Sequence, residues 1–181
     1  MPSKPDGPIG VFVAVFSDED GADKGLEALR FYQRKAKIMD IYDDAKILRK
    51  DDGKIEVRGA RGGRHGAREG ALVGAVLGVV FPPSLIVTGA AGAVVGAAAG
   101  KLHKGMLDHS FLSDMGEYLQ PGRGAIIAIS DAKNMETFAG EVPNALRSFT
   151  HTFASANTDE IAEWISSIPE TVRAEDSDSE T

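Results

Sequence analysis

Cysteine is absent from all 181 residues, which excludes a disulfide framework and thiolate chemistry and is compatible with a cytoplasmic protein. The stretch Met1 to Pro8 lacks the apolar core of a signal peptide, so secretion by that route is not expected. Phosphate-binding loops are missing too. A Walker loop ending at Gly100-Lys101 would need glycine at Val95 and Ser or Thr at Leu102, and residues Gly59 to Gly66 do not give the dinucleotide spacing. His65, His103, His109 and His151 contain no i, i+4 pair for a metal, and Asp108 is the one carboxylate between His103 and His109. No serine stands in a nucleophile elbow. His151 alternates with Phe149 and Phe153 and reads as a strand residue rather than a group aimed at substrate. The expectation is a protein that is not an enzyme, with no metal and no cofactor.

Charge is lacking over a long central stretch: from Gly70 through Gly100 no acidic or basic residue occurs. What fills it is glycine at a period of four, at Gly66, Gly70, Gly74 and Gly78 and, after Phe81-Pro82-Pro83, at Gly92, Gly96 and Gly100. That period places each set on one helical face. Glycine inside a helix costs about 0.5–1 kcal/mol relative to alanine, so the repeat needs a compensating gain. Close backbone approach supplies one through dispersion and weak Cα–H···O contacts. The reading is a glycine-zipper hairpin over residues 66–104, two helices folded back at the Pro-Pro turn, with its first arm at Gly70 to Phe81 and its second at Ser84 to Gly100.

The flanks of the hairpin are basic: Arg58, Arg61, Arg64 and Arg68 precede it, and Lys101 and Lys104 follow. Basic groups at both ends suit a hairpin entering a membrane from its cytoplasmic face and touching lipid phosphate. A spanning helix needs about 20 apolar residues, which the first arm lacks and the second approaches. Three placements therefore stand: membrane insertion, which leads; a soluble homo-oligomer in which the glycine faces meet; and burial on the protein's own sheet. A fully exposed monomeric hairpin would present too large an apolar patch. The Arg-Gly run from Arg58 to Arg64 lacks the aromatics of RNA-binding segments, and a formal net charge of -7 argues against nucleic acid as a partner.

Hydrophobic residues make up 43% of the chain, enough for a real core. After the lead-in, residues 1–8, the run Ile9 to Phe16 is a strand buried on both sides. Ser17 to Asp20 supply caps and negative charge for a helix from Gly21 to Lys37, with Ala22, Leu26, Leu29 and Ala36 inward. Ala45 to Lys50 and Lys54 to Arg58 form a hairpin through Asp51-Asp52-Gly53. Beyond the glycines come a helix from Asp108 to Leu119, a doubly buried strand from Gly124 to Ile129, a helix from Asp131 to Leu146 with Gly140 and Pro143 against its second half, and a strand from Phe149 to Ala154. A last helix starts at the Asn157 cap and places Ile161, Trp164, Ile165 and Ile168 on one face. Residues 169–181 form an acidic tail with too little apolar content to fold. The whole predicts an α+β domain over 9–168, a ferredoxin-like split βαβ sandwich with the inserted glycine hairpin and an extra C-terminal strand and helix.

Several of these segments carry a resemblance: Val11 to Phe16 with Asp18 to Ala22 behind it, Lys50-Asp51-Asp52-Gly53-Lys54, the glycine pattern from Gly70, and Leu119-Gln120-Pro121-Gly122 leading to Asp131. In their order the chain resembles the bacterial family designated domain of unknown function 1269, described as predicted membrane proteins, over about residues 8 to 168. It departs from the pattern in the basic approach at Arg61, Arg64, His65 and Arg68, and in the acidic tail. The resemblance implies a membrane-linked or oligomeric protein and supplies no catalytic residue. The expected function is that of a non-enzymatic, membrane-associated protein that assembles with itself through the hairpin and touches an anionic membrane surface. The alternative is a soluble cytoplasmic homo-oligomer that binds a small ligand on its α+β domain.

Overall fold

The computed structural model describes residues 7–38, 41–58, 71–88 and 106–154. They form an α+β structure around one mixed six-stranded sheet. In chain order the elements are β1 (Ile9–Phe16), α1 (Glu19–Lys35), β2 (Ile41–Arg49), β3 (Ile55–Arg58), α2 (Ala71–Val80), β4 (Ile86–Thr88), α3 (His109–Tyr118), β5 (Gly124–Asp131), α4 (Met135–Glu141) and β6 (Arg147–Thr152). The strand order is β4-β3-β2-β5-β1-β6. All neighbours run antiparallel except β3 and β4, which are parallel and joined through α2. A parallel pair requires such a crossover, because a tight turn cannot reverse the chain twice.

The continuous apolar runs of β1 and β5 follow from their central positions: every residue of both is buried. Alternation divides β1 between two cores. Phe12, Ala14 and Phe16 meet α1 and α4 through Leu26, Leu29, Met135 and Phe138, whereas Ile9, Val11, Val13 and Val15 belong with α2 and α3 through Val76, Leu77, Phe111 and Met115. Helices thus cover both faces of the sheet.

Helix α1 begins where Asp18 accepts a hydrogen bond from the Gly21 N–H at 2.8 Å, satisfying one of the free donors of the first turn. At its other end Ile38 N–H donates to the Gln33 carbonyl oxygen at 3.0 Å and Lys37 N–H to that of Arg34 at 3.3 Å, the Schellman arrangement. Lys37 takes the left-handed position there, φ +53°. Because the helix stops at Lys35, Ala36 is its exposed cap and not part of the inner face as expected; Gln33 is buried instead. Gly25 is required by close approach, since a Cβ there would lie 2.3 Å from the Phe16 ring.

Two further expectations are corrected. The second arm of the glycine hairpin does not begin as a helix: Pro83–Leu85 is a 3-10 turn and Ile86–Thr88 is β4, paired with Ile55 to Val57 of β3. Three β-branched residues in succession favour the strand, and a free edge of β3 accepts them. Strand β2 also begins earlier than expected, at Ile41, and takes the carboxylates of Asp43 and Asp44 into the sheet. The turn at Gly53 does adopt positive φ, +84°. The helix expected from Asn157 and the tail 169–181 lie outside the described residues, as does the lead-in up to residue 6.

Candidate functional site

Ten residues, Ala71 to Val80, make α2, the first arm of the glycine-rich stretch. It packs on β2 and β5 and against α3. Val73, Ala75, Val76, Leu77 and Val79 are all buried, as is Gly74, while Gly78 is half-buried. One charged group holds its start: Asp43, fully buried in β2, accepts the Val73 N–H at 3.0 Å. Val73 is the third residue of the helix, where the N–H has no partner within the helix. A carboxylate there also faces the positive end of the helix dipole. Neither effect was anticipated for Asp43; its signal was a pair of aspartates interrupting an apolar strand.

Of the glycines singled out, Gly74 and Gly78 therefore sit on a helix built into the core of its own domain, and Gly66, Gly70, Gly92, Gly96 and Gly100 lie outside the described residues. Of the basic flank, Arg58 ends β3 and is engaged in ion pairs with Glu56 and with Glu19, the latter at 2.8 Å. Arg61, Arg64, Arg68, Lys101 and Lys104 lie outside the described residues. Lys46 joins the same network, reaching Glu19 at 3.0 Å and Asp23 at 2.5 Å. Burial opposes the charge on Lys46, but hydrogen bonds to Asp23 and Glu19 more than offset it and hold its ammonium above the ordinary lysine range.

A second polar arrangement joins α3 to β6. His151 Nδ1 lies 2.9 Å from Asp108 Oδ2, and Arg147 faces Asp114 at 4.0 Å. Between these pairs Phe111 packs edge-on against Phe149, with ring centroids 5.4 Å apart, and touches the His151 ring at 5.7 Å. The imidazole is buried, flanked edge-on by Phe153 at 4.9 Å, and its Nε2 has no hydrogen-bond partner among the described residues. The strand alternation of Phe149, His151 and Phe153 was legible in the sequence. The Asp108 partner, 43 positions away, was not. At the other end of α3, Arg49 donates to the Leu119 carbonyl at 2.7 Å and Arg123 to the Tyr118 carbonyl at 2.8 Å. These guanidinium groups satisfy terminal carbonyls and complement the negative helix end. Among the described residues no group of three or more His, Asp or Glu is placed to hold a metal, and no helix is long and apolar enough to cross a membrane.

Fold and site together define an α+β protein whose glycine-rich helix is the crossover of a parallel strand pair at one side of its sheet. The chain belongs to the family described as Protein of unknown function (DUF1269), which matches residues 67–166. No curated protein and no solved structure matches it. The family match includes β5 and β6, yet each of these strands pairs with β1, which precedes the matched residues. The N-terminal strand is thus inserted between two strands of the family segment and completes its sheet.

Proposed function

We propose that this protein is a non-enzymatic self-assembling scaffold in which the glycine-rich chain following β4 brings copies together. The observation that carries the reading is the placement of α2. Its glycine-containing arm is already buried in its own domain, anchored by Asp43, so the continuing charge-free stretch through Gly92, Gly96 and Gly100 is the part left to meet another copy. A small-residue face at a period of four gains dispersion from close helix approach. The domain that presents it we read as ferredoxin-like: β1-α1-β2 and β5-α4-β6 are two β-α-β units whose strands lie in the order β6-β1-β5-β2. On this reading the insertion comprises β3, α2, β4 and α3, and β6 belongs to the core and is not an added strand.

Mass measurement by light scattering in detergent-free buffer tests the proposal. The full chain is expected as a discrete multiple of 19.1 kDa, and Gly96→Leu is expected to reduce that mass without lowering the melting temperature. A wild-type monomer at every concentration, or an unchanged assembly in Gly96→Leu, removes the glycine face from the account.

A membrane surface is the second reading, favoured by Arg61, Arg64, Arg68, Lys101 and Lys104 flanking a stretch with no charge. Replacing the three arginines by glutamine is then expected to weaken binding to anionic vesicles. Equal binding to neutral and anionic vesicles contradicts the lipid-phosphate role.

A further inference from the structure

The C-terminal end of α1 carries a surface that nothing in the described structure covers. Phe31 is 60% exposed, the most open large apolar side chain among the described residues. Arg34 and Lys35 follow it at i+3 and i+4, so they share its helical face, and Lys37 comes just beyond. All three basic side chains are exposed, and none forms an ion pair among the described residues, although carboxylates outnumber basic groups by 27 to 20 in the chain. Elsewhere on α1 the charges are engaged: Lys24 with Asp20, Arg30 with Asp44, and Glu19 and Asp23 with Lys46. Glu27, one turn before Phe31, is the carboxylate on this stripe.

Complementing the helix dipole accounts for basic residues in a last turn. It does not account for the exposed ring, nor for lysine at the left-handed position of residue 37, where glycine is the cheaper residue. Lysine there adds charge to the patch at a conformational cost.

We infer that this patch is the docking surface for the chain's own acidic tail, residues 170–181. That segment carries Glu170, Glu175, Asp176, Asp178 and Glu180 against the single Arg173. Topology puts the two within reach. Thr152 pairs with Gly10, Ile9 with Asp131 and Ile41 with Ser130, so the end of β6 and the start of β2 lie at one end of the sheet. The α1 C-terminus leads directly into that start of β2. Three strand spacings of about 4.8 Å each separate β6 from β2. The chain between Ala154 and Glu170 is 15 residues long; with the helix expected from Asn157 to Ile168 formed and the rest extended it reaches about 30 Å, more than the roughly 14 Å across those three spacings. The inference is independent of the self-assembly proposal, because neither segment belongs to the glycine-rich stretch.

Zero-length carbodiimide cross-linking of the full chain at low salt, mapped by mass spectrometry, tests it. The expected result is linkage of Lys35 and Lys37 to carboxylates of 170–180 in preference to the exposed Lys24, Lys54 and Lys133, falling about tenfold near 0.5 M salt, where the screening length is about 4 Å. Lys37→Gly, which the left-handed position accommodates without strain, is expected to lower the Lys35 links while leaving the melting temperature no lower. A purely dipolar role for the basic turn leaves those links unmoved. Absence of tail links, or equal linkage to every exposed lysine, overturns the inference. So do links found between isotopically distinct copies, and so does binding of the patch to anionic vesicles while the tail stays unlinked.

Discussion

On one face of the sheet α1 meets β2 largely through charge: Arg30 pairs with the buried Asp44, and Lys46 is drawn between Glu19 and Asp23. On the other face α2 shares one apolar core with the same strand, Val73, Val76 and Leu77 lying in a cluster with Ala45 and Ile47, and the buried carboxylate of Asp43 stands at the helix start. Neighbouring residues of one strand, Asp43 and Asp44, thus serve opposite faces by alternation, each committed to one helix. The difference concerns how a helix is placed. The amphipathic α1 has caps, charges and a polar face of its own, so its pairs with β2 set its register. The ten residues of α2 carry no polar side chain of their own; burial holds the helix, and Asp43 accepts the N–H of its third residue.

The largest effects expected come from the two aromatic cores. Phe111→Ala and Phe138→Ala should each cost about 3–5 kcal/mol in denaturant unfolding, as loss of a buried ring generally does. Only Phe111→Ala should also raise amide exchange in both α3 and β6, because Phe111 is the ring between Phe149 and His151. Equal exchange in the two variants would break the separation of the faces. Next in size is Arg30→Met, which strands the buried Asp44 carboxylate and should cost about 3 kcal/mol, the low end for a broken buried pair since Arg30 keeps some contact with water. That loss should persist in high salt. A loss that vanishes with salt would mean the pair behaves as a surface one.

A smaller change tests how closely α1 approaches the sheet. A Cβ on Gly124 would fall 2.6 Å from the Asp18 carbonyl oxygen. Gly124→Ala should therefore cost about 1–3 kcal/mol by pushing the helix start from β5. A neutral result would show that the helix start can move. The smallest effect concerns acid. Hydrogen bonds from Arg58 and Lys50 hold Glu56 below the ordinary carboxylate range, so its contribution is full above that range and lost as pH falls through the lowered value. Glu56→Gln should therefore reduce stability at neutral pH slightly and flatten the acid limb of a stability-pH curve. An unchanged acid limb would remove Glu56 from that network.

Much of this fold was readable locally. The runs Ile9 to Phe16 and Gly124 to Ile129 declared central strands because strands covered on both faces have no need of polar alternation. The Asp18 cap and the Gly53 turn follow from backbone chemistry within a few residues. What was not readable depends on partners distant in sequence. Ile86 to Thr88 sits in a charge-free run whose period suggested a helix, and becomes a strand because β3 offers it an edge. Insertion of β1 between β5 and β6 has no local signature. For the glycine stretch, spacing identified a face for close approach but not what approaches it, and in α2 the surroundings are its own sheet. The Asp43 anchor broke the apolar pattern of its strand; the Asp108–His151 pair showed one half in the sequence and the other only in the fold.

Central to this account is that α2 belongs to the core of its own domain and is not an arm free to leave it. Amide hydrogen exchange of the full chain, with and without anionic vesicles, tests that claim most directly. The expected result is that α2 exchanges as slowly as β5 and that vesicles change neither. Fast exchange in α2 beside a protected β5, or slowing of α2 that requires lipid, would contradict it and return the glycine helix to the membrane.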